Sequence, residues 1–309
     1  MFDPPPTLPF RLISRISNEM HLSGMILVDT ALPQDFDRSI VLLVVMRVCA
    51  PDWTQAGVLR APPCPTRFTS ANSIATSLRR SPETIRRHVQ ALLDGGICVR
   101  GTGGIALNPD PAVRPDLVRL YAAYHDLLIG FVADLAAHRL LPAPVRGPDD
   151  ALLAAIVGTT LDIALIPFEQ FGHLFADWTS MRVWSGIGAL NVRHIMLDPV
   201  LNDRYAVAST PDDQRRPVPL RTVERTLGIP YATAWRHCRL LETRELVSQT
   251  DRGWLVRVAQ LRDDAMEEAV VAAVQYYCRR IATLIAGGLD PSHADDRYIA
   301  RRVPLAPAG

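Results

Sequence analysis

The chain repeats one pattern of residues at a fixed separation of 149 positions, and this repeat limits its fold more than any other feature. The stretch RSPETIRRHVQALLDGGIC at residues 80–98 matches IPYATAWRHCRLLETRELV at residues 229–247. Residues of similar type occupy the paired positions, which are Leu78 and Leu227, Thr84 and Thr233, Arg87 and Arg236, His88 and His237, Leu92 and Leu241, Ile97 and Leu246, Gly104 and Gly253, and Ile105 and Trp254. The pattern predicts an internal duplication in a chain of 309 residues, which is long enough for two cores.

Each copy predicts two helices followed by a short hairpin. In the first copy, SIATSLRR has apolar residues on one helical face, and Ser81 can cap a second helix whose first turn accepts Pro82 and Glu83. Gly95 and Gly96 end that helix. ICVR and IAL then predict strands on either side of a GTGG turn. The second copy gives the same order, from LRTVERTLG to WLVRV.

This order of elements resembles the winged helix-turn-helix of bacterial transcription regulators of the GntR and MarR type. The family pattern is a helix ending in Leu-Gly-[Val/Ile], a second helix containing T-[VIA]-x-x-x-[LVC]-x-x-L, and a break before a short strand. Two departures occur. Arg79 and Arg80 replace the glycine and valine in the first copy, and Arg244 and Glu245 replace the glycine after the second helix in the second copy. The resemblance is confined to the two repeated units.

Long amphipathic segments flank both units, and in MarR-type regulators such helices form the dimer. The resemblance therefore implies a mainly α fold with small β-wings, in which two tandem winged helix-turn-helix units form a pseudo-two-fold, MarR-dimer-like arrangement. The first half is residues 1–145, with a helix-turn-helix at about 70–96, a wing at 97–107 and a flanking helix at 114–139. The second half is residues 146–309, with the equivalent elements at about 219–245, 246–257 and 261–287. The Pro-rich residues 140–150 join the halves.

Positive charge is concentrated in the repeated units, although the whole chain has a net charge of only +1. Residues 70–100 carry a net +3, residues 215–257 carry +5, and the remainder of the chain carries −7. A local basic face is what attraction to phosphates requires. All basic residues are Arg, and we attribute the absence of Lys to codon composition.

The resemblance implies that the second helix of each unit enters the major groove of DNA and that the wing contacts the backbone or the minor groove. The DNA-binding positions carried over in the first copy are Ser81, Pro82, Thr84, Arg86, Arg87, Arg100 and Thr102. Those in the second copy are Tyr231, Thr233, Trp235, Arg236, Arg239 and Arg252. Arg forks onto guanine, and Thr contacts a phosphate or a thymine methyl. The alternative for each Arg is a solvated helix face.

Two further features leave alternatives open. His88 and His237 recur at the repeat separation and could sense pH or bind a metal, but the favoured interpretation is a partly buried histidine that braces the first helix or touches a phosphate. Trp235 either stacks on a sugar or packs on the preceding helix. The outward residues differ between copies, as Arg86 and Trp235 show, so we expect two non-identical half-sites.

The function that we infer is sequence-specific binding of double-stranded DNA by a transcription regulator that acts as a single-chain pseudo-dimer. The alternatives are a replication-initiator-like DNA-binding protein and a winged-helix scaffold for protein interactions. An enzyme is not expected, since the sequence contains no GxSxG, P-loop, HExxH or paired-cysteine motif. No cofactor is expected, and five dispersed cysteines favour a reducing cytoplasm over a metal site.

Further expectations concern partners and location. The resemblance implies a small-molecule effector and a homodimer through the flanking helices, and the stretch from Phe168 to Trp184 is either an effector pocket or core, with core favoured. The apolar segment at residues 151–168 contains Asp162 and Pro167, so we expect a buried helix and not a membrane span. No signal peptide is recognised, which favours a cytoplasmic, nucleoid-associated protein. The C-terminal tail from Pro291 is expected to be loose.

Overall fold

The computed structural model describes residues 9–31, 35–110, 116–175, 177–262 and 264–307. Within these ranges the chain is mainly α-helical, with two small antiparallel sheets of two strands each. The α-helices are α1 (Phe10–Ala31), α2 (Phe36–Trp53), α3 (Ala71–Ser77), α4 (Pro82–Asp94), α5 (Asp116–Ala137), α6 (Leu152–Ile166), α7 (Trp178–Met196), α8 (Pro199–Arg204), α9 (Leu220–Leu227), α10 (Tyr231–Thr243), α11 (Val258–Leu261) and α12 (Asp264–Ala286). The strands are β1 (Cys98–Gly101), β2 (Gly104–Leu107), β3 (Ser248–Thr250) and β4 (Gly253–Leu255). The expectation of a mainly α fold with small β-hairpins is confirmed.

The repeat of 149 positions in the sequence is also a repeat of backbone structure. Helix α4 and helix α10 begin and end at paired residues, and α3 and α9 begin at paired residues. Each hairpin gains a third short segment through an isolated bridge, Thr69 to Ile105 in the first copy and Val218 to Trp254 in the second. Two helices and a hairpin therefore recur as one local structure, which we call the helix–helix–hairpin unit.

The two departures from the family pattern take the backbone conformation that glycine takes in the other copy. Arg79 has a φ of 51°, and its paired residue Gly228 has a φ of 63°. Glu245 has a φ of 59°, and its paired residue Gly96 has a φ of 67°. Left-handed backbone is needed at both places, and in each pair one copy meets that need with a residue other than glycine.

The structural repeat continues upstream of the unit at a different separation. Asp35 caps α2 by accepting a hydrogen bond from the backbone N–H of Arg38, and Asp177 caps α7 in the same way through Ser180, 142 positions further on. The residues Cys49 and Asn191 have this separation too, and each bonds backbone groups of its own hairpin and of the segment before the first helix. A change of separation from 142 to 149 between these features explains why one fixed offset did not reveal the upstream match.

The described chain forms two compact units that are not continuous in sequence. Unit I comprises residues 27–174 and 279–303, and unit II comprises Met1–Ile26, Phe175–Cys278 and Pro304–Gly309. Their boundaries fall inside α1 and α12. The predicted halves at 1–145 and 146–309 are continuous segments, so they describe how the sequence repeats and differ from the compact units. This division of the chain into halves stays a prediction.

The core of unit I lies between α2, α5 and α6, and it fixes the position of the first helix–helix–hairpin unit. Helix α6 packs against α2 and α5, while α2 also contacts α4 and β2. The hydroxyl of the buried Tyr121 donates to the carbonyl of Met46 at 2.7 Å. The Tyr121 ring lies 5.4 Å from that of Trp53. Because α2 carries this core on one side and α4 on the other, the orientation of α4 is determined by apolar packing.

Unit II uses α7 as its central helix. Helix α7 contacts α9, α10 and β4. Asn191, which is fully buried, donates to the carbonyls of Arg216 and Trp254 and accepts from the N–H of Val256. These bonds satisfy the carbonyl of Arg216 and the buried N–H of Val256, and they give the carbonyl of Trp254 a second donor beside the N–H of Val218.

Two described helical segments are long and apolar enough to span a membrane, namely Asp116–Ala137 and Leu152–Phe171. Their most apolar windows are 72% and 61% buried inside the protein, as is typical of core helices. Within the second segment, the carboxylate of Asp162 forms an ion pair with Arg280 at 2.8 Å. These observations are compatible with the expectation of a buried helix at residues 151–168.

The expectation of a loose C-terminal tail is wrong for its described part, residues 291–307. The buried carboxylate of Asp126 accepts hydrogen bonds from the backbone N–H groups of residues 299, 300 and 301 in unit I. In unit II, Arg193 donates to the carbonyl of Ala306 at 2.6 Å while pairing with Glu19. The tail is polar in sequence, but carboxylate and guanidinium groups far away along the chain bind its backbone.

Candidate nucleic-acid interface

Helix α4 presents one apolar and one basic face, and its ends are fixed locally. Ser81 accepts a hydrogen bond from the N–H of Thr84, and Pro82 occupies the first helical position. Ile85, Val89 and Leu92 are buried together with His88. The opposite face, with Arg86 and Arg87, is exposed.

The predicted residues of the first copy divide into capping residues and exposed cations. The hydroxyls of Ser81 and Thr84 are 2.8 Å apart within the cap, so part of their hydrogen-bonding capacity is already used. Arg86 lies 3.7 Å from Glu83 and 3.4 Å from the amide oxygen of Asn72, which are loose contacts. Arg87 forms no hydrogen bond or ion pair with any residue that the structure describes. It is therefore a cation available to an external partner.

The first hairpin places a second cation beside α4. A guanidinium nitrogen of Arg100 lies 3.4 Å from the side-chain oxygen of Gln90, and Thr102 is exposed at the turn. Gly104 has a φ of 125°, and a Cβ at this position would lie 2.2 Å from the carbonyl oxygen of Thr69. The close approach of the hairpin to the segment before α3 therefore requires glycine, and it fixes the hairpin next to the exposed face of α4.

Helix α10 is built on the same pattern but has an aromatic outer face. Tyr231 and Trp235 are each 42% exposed. The guanidinium of Arg221 lies over the Tyr231 ring at 4.4 Å, and that of Arg239 lies 5.6 Å from the Trp235 ring. Trp235 also meets the buried Trp254 of the hairpin edge-on at 6.1 Å. Trp235 thus packs on the hairpin, and it still leaves a large part of its ring open to solvent.

The remaining predicted residues of the second copy are also at the surface. Arg236 is exposed and has a nitrogen 3.5 Å from Nε2 of His237, while Arg239 forms an ion pair with Glu242. Thr233 is partly exposed, and Arg252 is exposed in the turn between β3 and β4. In each copy the outward residues of the second helix and of the hairpin turn belong to the same helix–helix–hairpin unit.

The paired histidines hold the second helix of each unit against an upstream helix. Nδ1 of His88 lies 3.8 Å from the capping carboxylate of Asp35, and Nδ1 of His237 lies 3.5 Å from that of Asp177 and 2.9 Å from the hydroxyl of Ser180. Burial lowers the pKa of both histidines, and the neighbouring carboxylates offset part of that effect. No cluster of three His, Cys, Asp or Glu side chains suited to a metal occurs among the described residues. The histidines therefore brace the second helix against α2 or α7, whereas the expectation was that they brace α3 or α9, the first helices of the units.

Two residues on the first helices also belong to this face and were not singled out from the sequence. Asn72 contacts Arg86, and Arg221 lies over Tyr231 and pairs with Glu224 at 2.9 Å. Asn72 and Arg221 are separated by 149 positions and are both the second residue of their helix. The repeat separation was the available signal, because it links two polar residues at one position although their types differ.

Three aromatic residues of the stretch that was a candidate effector pocket are buried, whereas Phe171 and Trp184 are partly exposed. Phe168 packs in unit I with its ring 6.1 Å from that of Phe36, and Phe175 packs in unit II at 5.5 Å from Trp184. Phe168, Phe175 and Trp178 are each at most 4% exposed. These residues form core, in agreement with the favoured alternative.

Neither a scan against protein-family models nor searches of curated proteins and of solved structures found a match to this chain.

Proposed function

We propose that the chain is a sequence-specific DNA-binding transcription regulator whose two helix–helix–hairpin units act as tandem winged helix-turn-helix units. The single observation that carries the proposal is the pair Arg87 and Arg236. Both occupy the same position of the repeated second helix, both are exposed, and neither forms an ion pair with a described carboxylate. The opposite side of each helix is buried, so these cations point away from the core.

The arrangement of charges suits a nucleic-acid duplex. In this mode of binding, α4 or α10 enters the major groove, and the arginines near its N-terminal half reach guanine edges or phosphates. The hairpin turns bring Thr102 and Arg252 to the flank of the same face, where Arg favours a narrow minor groove. The local charges of +3 and +5 on these segments attract the phosphates, whereas the acidic remainder of the chain does not.

A single chain with two such units would bind two half-sites as a pseudo-dimer. The outer faces differ, since Arg86 in the first copy corresponds to Trp235 in the second and Pro82 corresponds to Tyr231. The half-sites are therefore non-identical, and on one face of DNA their centres lie about 10 base pairs apart.

One observation favours a second candidate, a scaffold that binds a protein. Tyr231 and Trp235 are large, exposed and adjacent on α10, and aromatic residues of this kind are enriched in protein interfaces. In this alternative the first unit keeps its duplex-binding role, and the second unit docks a partner through the aromatic face.

The experiment is selection of bound duplexes from genomic fragments at two salt concentrations. The double variant Arg87→Ala/Arg236→Ala is compared with wild type and with Arg60→Ala/Arg204→Ala, which removes two exposed arginines outside both helix–helix–hairpin units. We expect wild type and the control to enrich a two-part motif with steeply salt-dependent affinity, and the double variant to lose it. Absence of enrichment and of a salt dependence in the wild type would contradict the proposal.

A further inference from the structure

Unit I contains a cavity of about 620 Å³ that has no part in the proposed DNA interface. It lies between the residues that connect α5 to α6 and the residues that follow α12, with His125 of α5 also in its lining. This volume is within the range of small-molecule sites. Part of the lining is apolar, from Leu152, Leu153 and Ile156.

His125 places a hydrogen-bond acceptor at this cavity. The residue is only 3% exposed, and its Nδ1 lies 2.9 Å from the carboxylate of Asp126. That carboxylate also accepts three backbone N–H groups and is an acceptor only, so the imidazole proton lies on Nδ1. Burial lowers the pKa of His125, Asp126 offsets part of that effect, and the charge of Arg297 lowers the pKa further. With the proton on Nδ1, Nε2 of the neutral ring is an acceptor, and it forms no hydrogen bond with any residue that the structure describes.

The charged residues of the lining are mostly acidic. Four aspartates and two arginines line the cavity. Asp149 pairs with Arg146 at 3.1 Å, and Asp290 pairs with His293 at 2.9 Å. Asp150 and Asp296 form no ion pair with any described residue. Arg297, which also lines the cavity, forms none either. Among the lining groups that form no ion pair with a described residue, two carboxylates and the Nε2 acceptor therefore outnumber one guanidinium.

We propose that this cavity is a binding site for a small organic ammonium ion with an apolar body. The ammonium group donates to Nε2 of His125 and lies in the field of Asp150 and Asp296, while the apolar body packs against Leu152, Leu153 and Ile156. A donor suits the site because Nε2 of His125, at the lining of the cavity, is not bonded by any residue that the structure describes. A cation suits it because Asp150 and Asp296 outnumber Arg297 among the lining charges that form no ion pair with a described residue.

The test is isothermal titration calorimetry of the full chain with three ligands that share a phenyl body. Phenethylamine carries an ammonium group, 2-phenylethanol a neutral hydroxyl and 3-phenylpropionate a carboxylate. We expect phenethylamine to bind and the two other ligands to bind at least about tenfold more weakly. Equal binding of all three, preferred binding of the carboxylate, or no binding of phenethylamine would overturn the proposal.

Substitutions of exposed aspartates test the position of the ammonium group without disturbing the fold. Asp150→Asn/Asp296→Asn should weaken phenethylamine binding about fivefold, since two partly screened charges are removed. The control Asp203→Asn/Asp213→Asn, which changes two exposed aspartates of unit II, should leave binding unchanged. Equal effects of the two double variants would place the ammonium elsewhere and overturn the assignment.

An independent spectroscopic measurement tests the role of His125. The Nε2 resonance of His125, assigned by its loss in His125→Gln, should shift in ¹⁵N spectra on addition of phenethylamine, since a new donor reaches that nitrogen. A His125 resonance that stays unchanged at saturating ligand would contradict the proposed contact.

Discussion

At the residue scale, the repeat preserves backbone conformation more strictly than residue type. The same pair of backbone hydrogen bonds follows α4 and α10. The N–H of Gly96 or Glu245 donates to the carbonyl three positions earlier, and the N–H of the next residue, Ile97 or Leu246, donates to the carbonyl five positions earlier. The sequence showed the missing glycine at Glu245 as a departure from a family pattern. It could not show that Glu245 adopts a left-handed conformation, because side-chain identity alone does not fix φ when the surrounding bonds select it.

Glu245→Gly should therefore stabilise the protein. The variant removes the steric cost of a Cβ at a φ of 59° and should raise the free energy of unfolding by about 0.5–1 kcal/mol. The reciprocal change Gly96→Ala should lower it by about 1 kcal/mol. Urea denaturation of both variants is the measurement, and a loss of stability in Glu245→Gly would contradict the assignment of strain to this residue.

At the element scale, each helix–helix–hairpin unit is held to its upstream helix by two side chains per copy. One is the histidine that faces the capping aspartate, and the other is the buried Cys49 or Asn191 that bonds the hairpin backbone. The sequence predicted the helices, the hairpins and their order, because caps, glycines and apolar spacing are local signals. It did not predict the upstream contacts, because a cysteine and an asparagine give no common pattern.

The histidine contacts should make stability depend on pH. Because burial lowers the pKa of His88 and His237 in the folded state, the unfolded state binds more protons as the pH falls through about 6.5. Stability is thus fully present above that pH and decreases below it. His88→Gln/His237→Gln should flatten the dependence of the free energy of unfolding between about pH 7 and 5. An unchanged slope in the double variant would show that other groups cause the dependence.

The contacts of Cys49 and Asn191 with the hairpin backbone differ in strength, so their removal should lower the free energy of unfolding by different amounts. Asn191→Ala leaves the carbonyl of Arg216 and the N–H of Val256 without this partner and removes one of the two hydrogen bonds to the carbonyl of Trp254, so it should cost about 3 kcal/mol of unfolding free energy. Cys49→Ala removes only weak sulfur contacts of 3.5 and 3.6 Å and should cost about 1 kcal/mol. Urea denaturation, with hydrogen exchange at Val256 and Leu107, measures both effects. Equal losses in the two variants would contradict this ranking.

At the scale of the whole molecule, the compact units are assembled from separate parts of the chain. Unit I needs α6 and residues 291–303, which lie beyond the first predicted half, to complete the core around α2 and α5. The sequence repeat predicted two continuous halves, because sequence similarity indicates which segments of the chain correspond to one another. Sequence similarity does not indicate which copy of a helix packs against which neighbour, because both copies have similar apolar faces.

A fragment of residues 1–145 should therefore not fold alone. It lacks α6 and the backbone N–H groups that satisfy the buried Asp126 carboxylate. We expect broad, poorly dispersed NMR spectra for this fragment, and native-like spectra after it is mixed with a fragment of residues 146–309. A well-dispersed spectrum and cooperative unfolding of the isolated fragment would contradict the composition of unit I.

The central claim is that both units bind DNA, each on its own half-site. The measurement that tests it most directly is hydroxyl-radical footprinting on a selected duplex with wild type, Arg87→Ala and Arg236→Ala. We predict two protected patches about 10 base pairs apart in the wild type. Each single variant should lose protection of a different patch. A single patch in the wild type, or loss of the same patch in both variants, would contradict the claim.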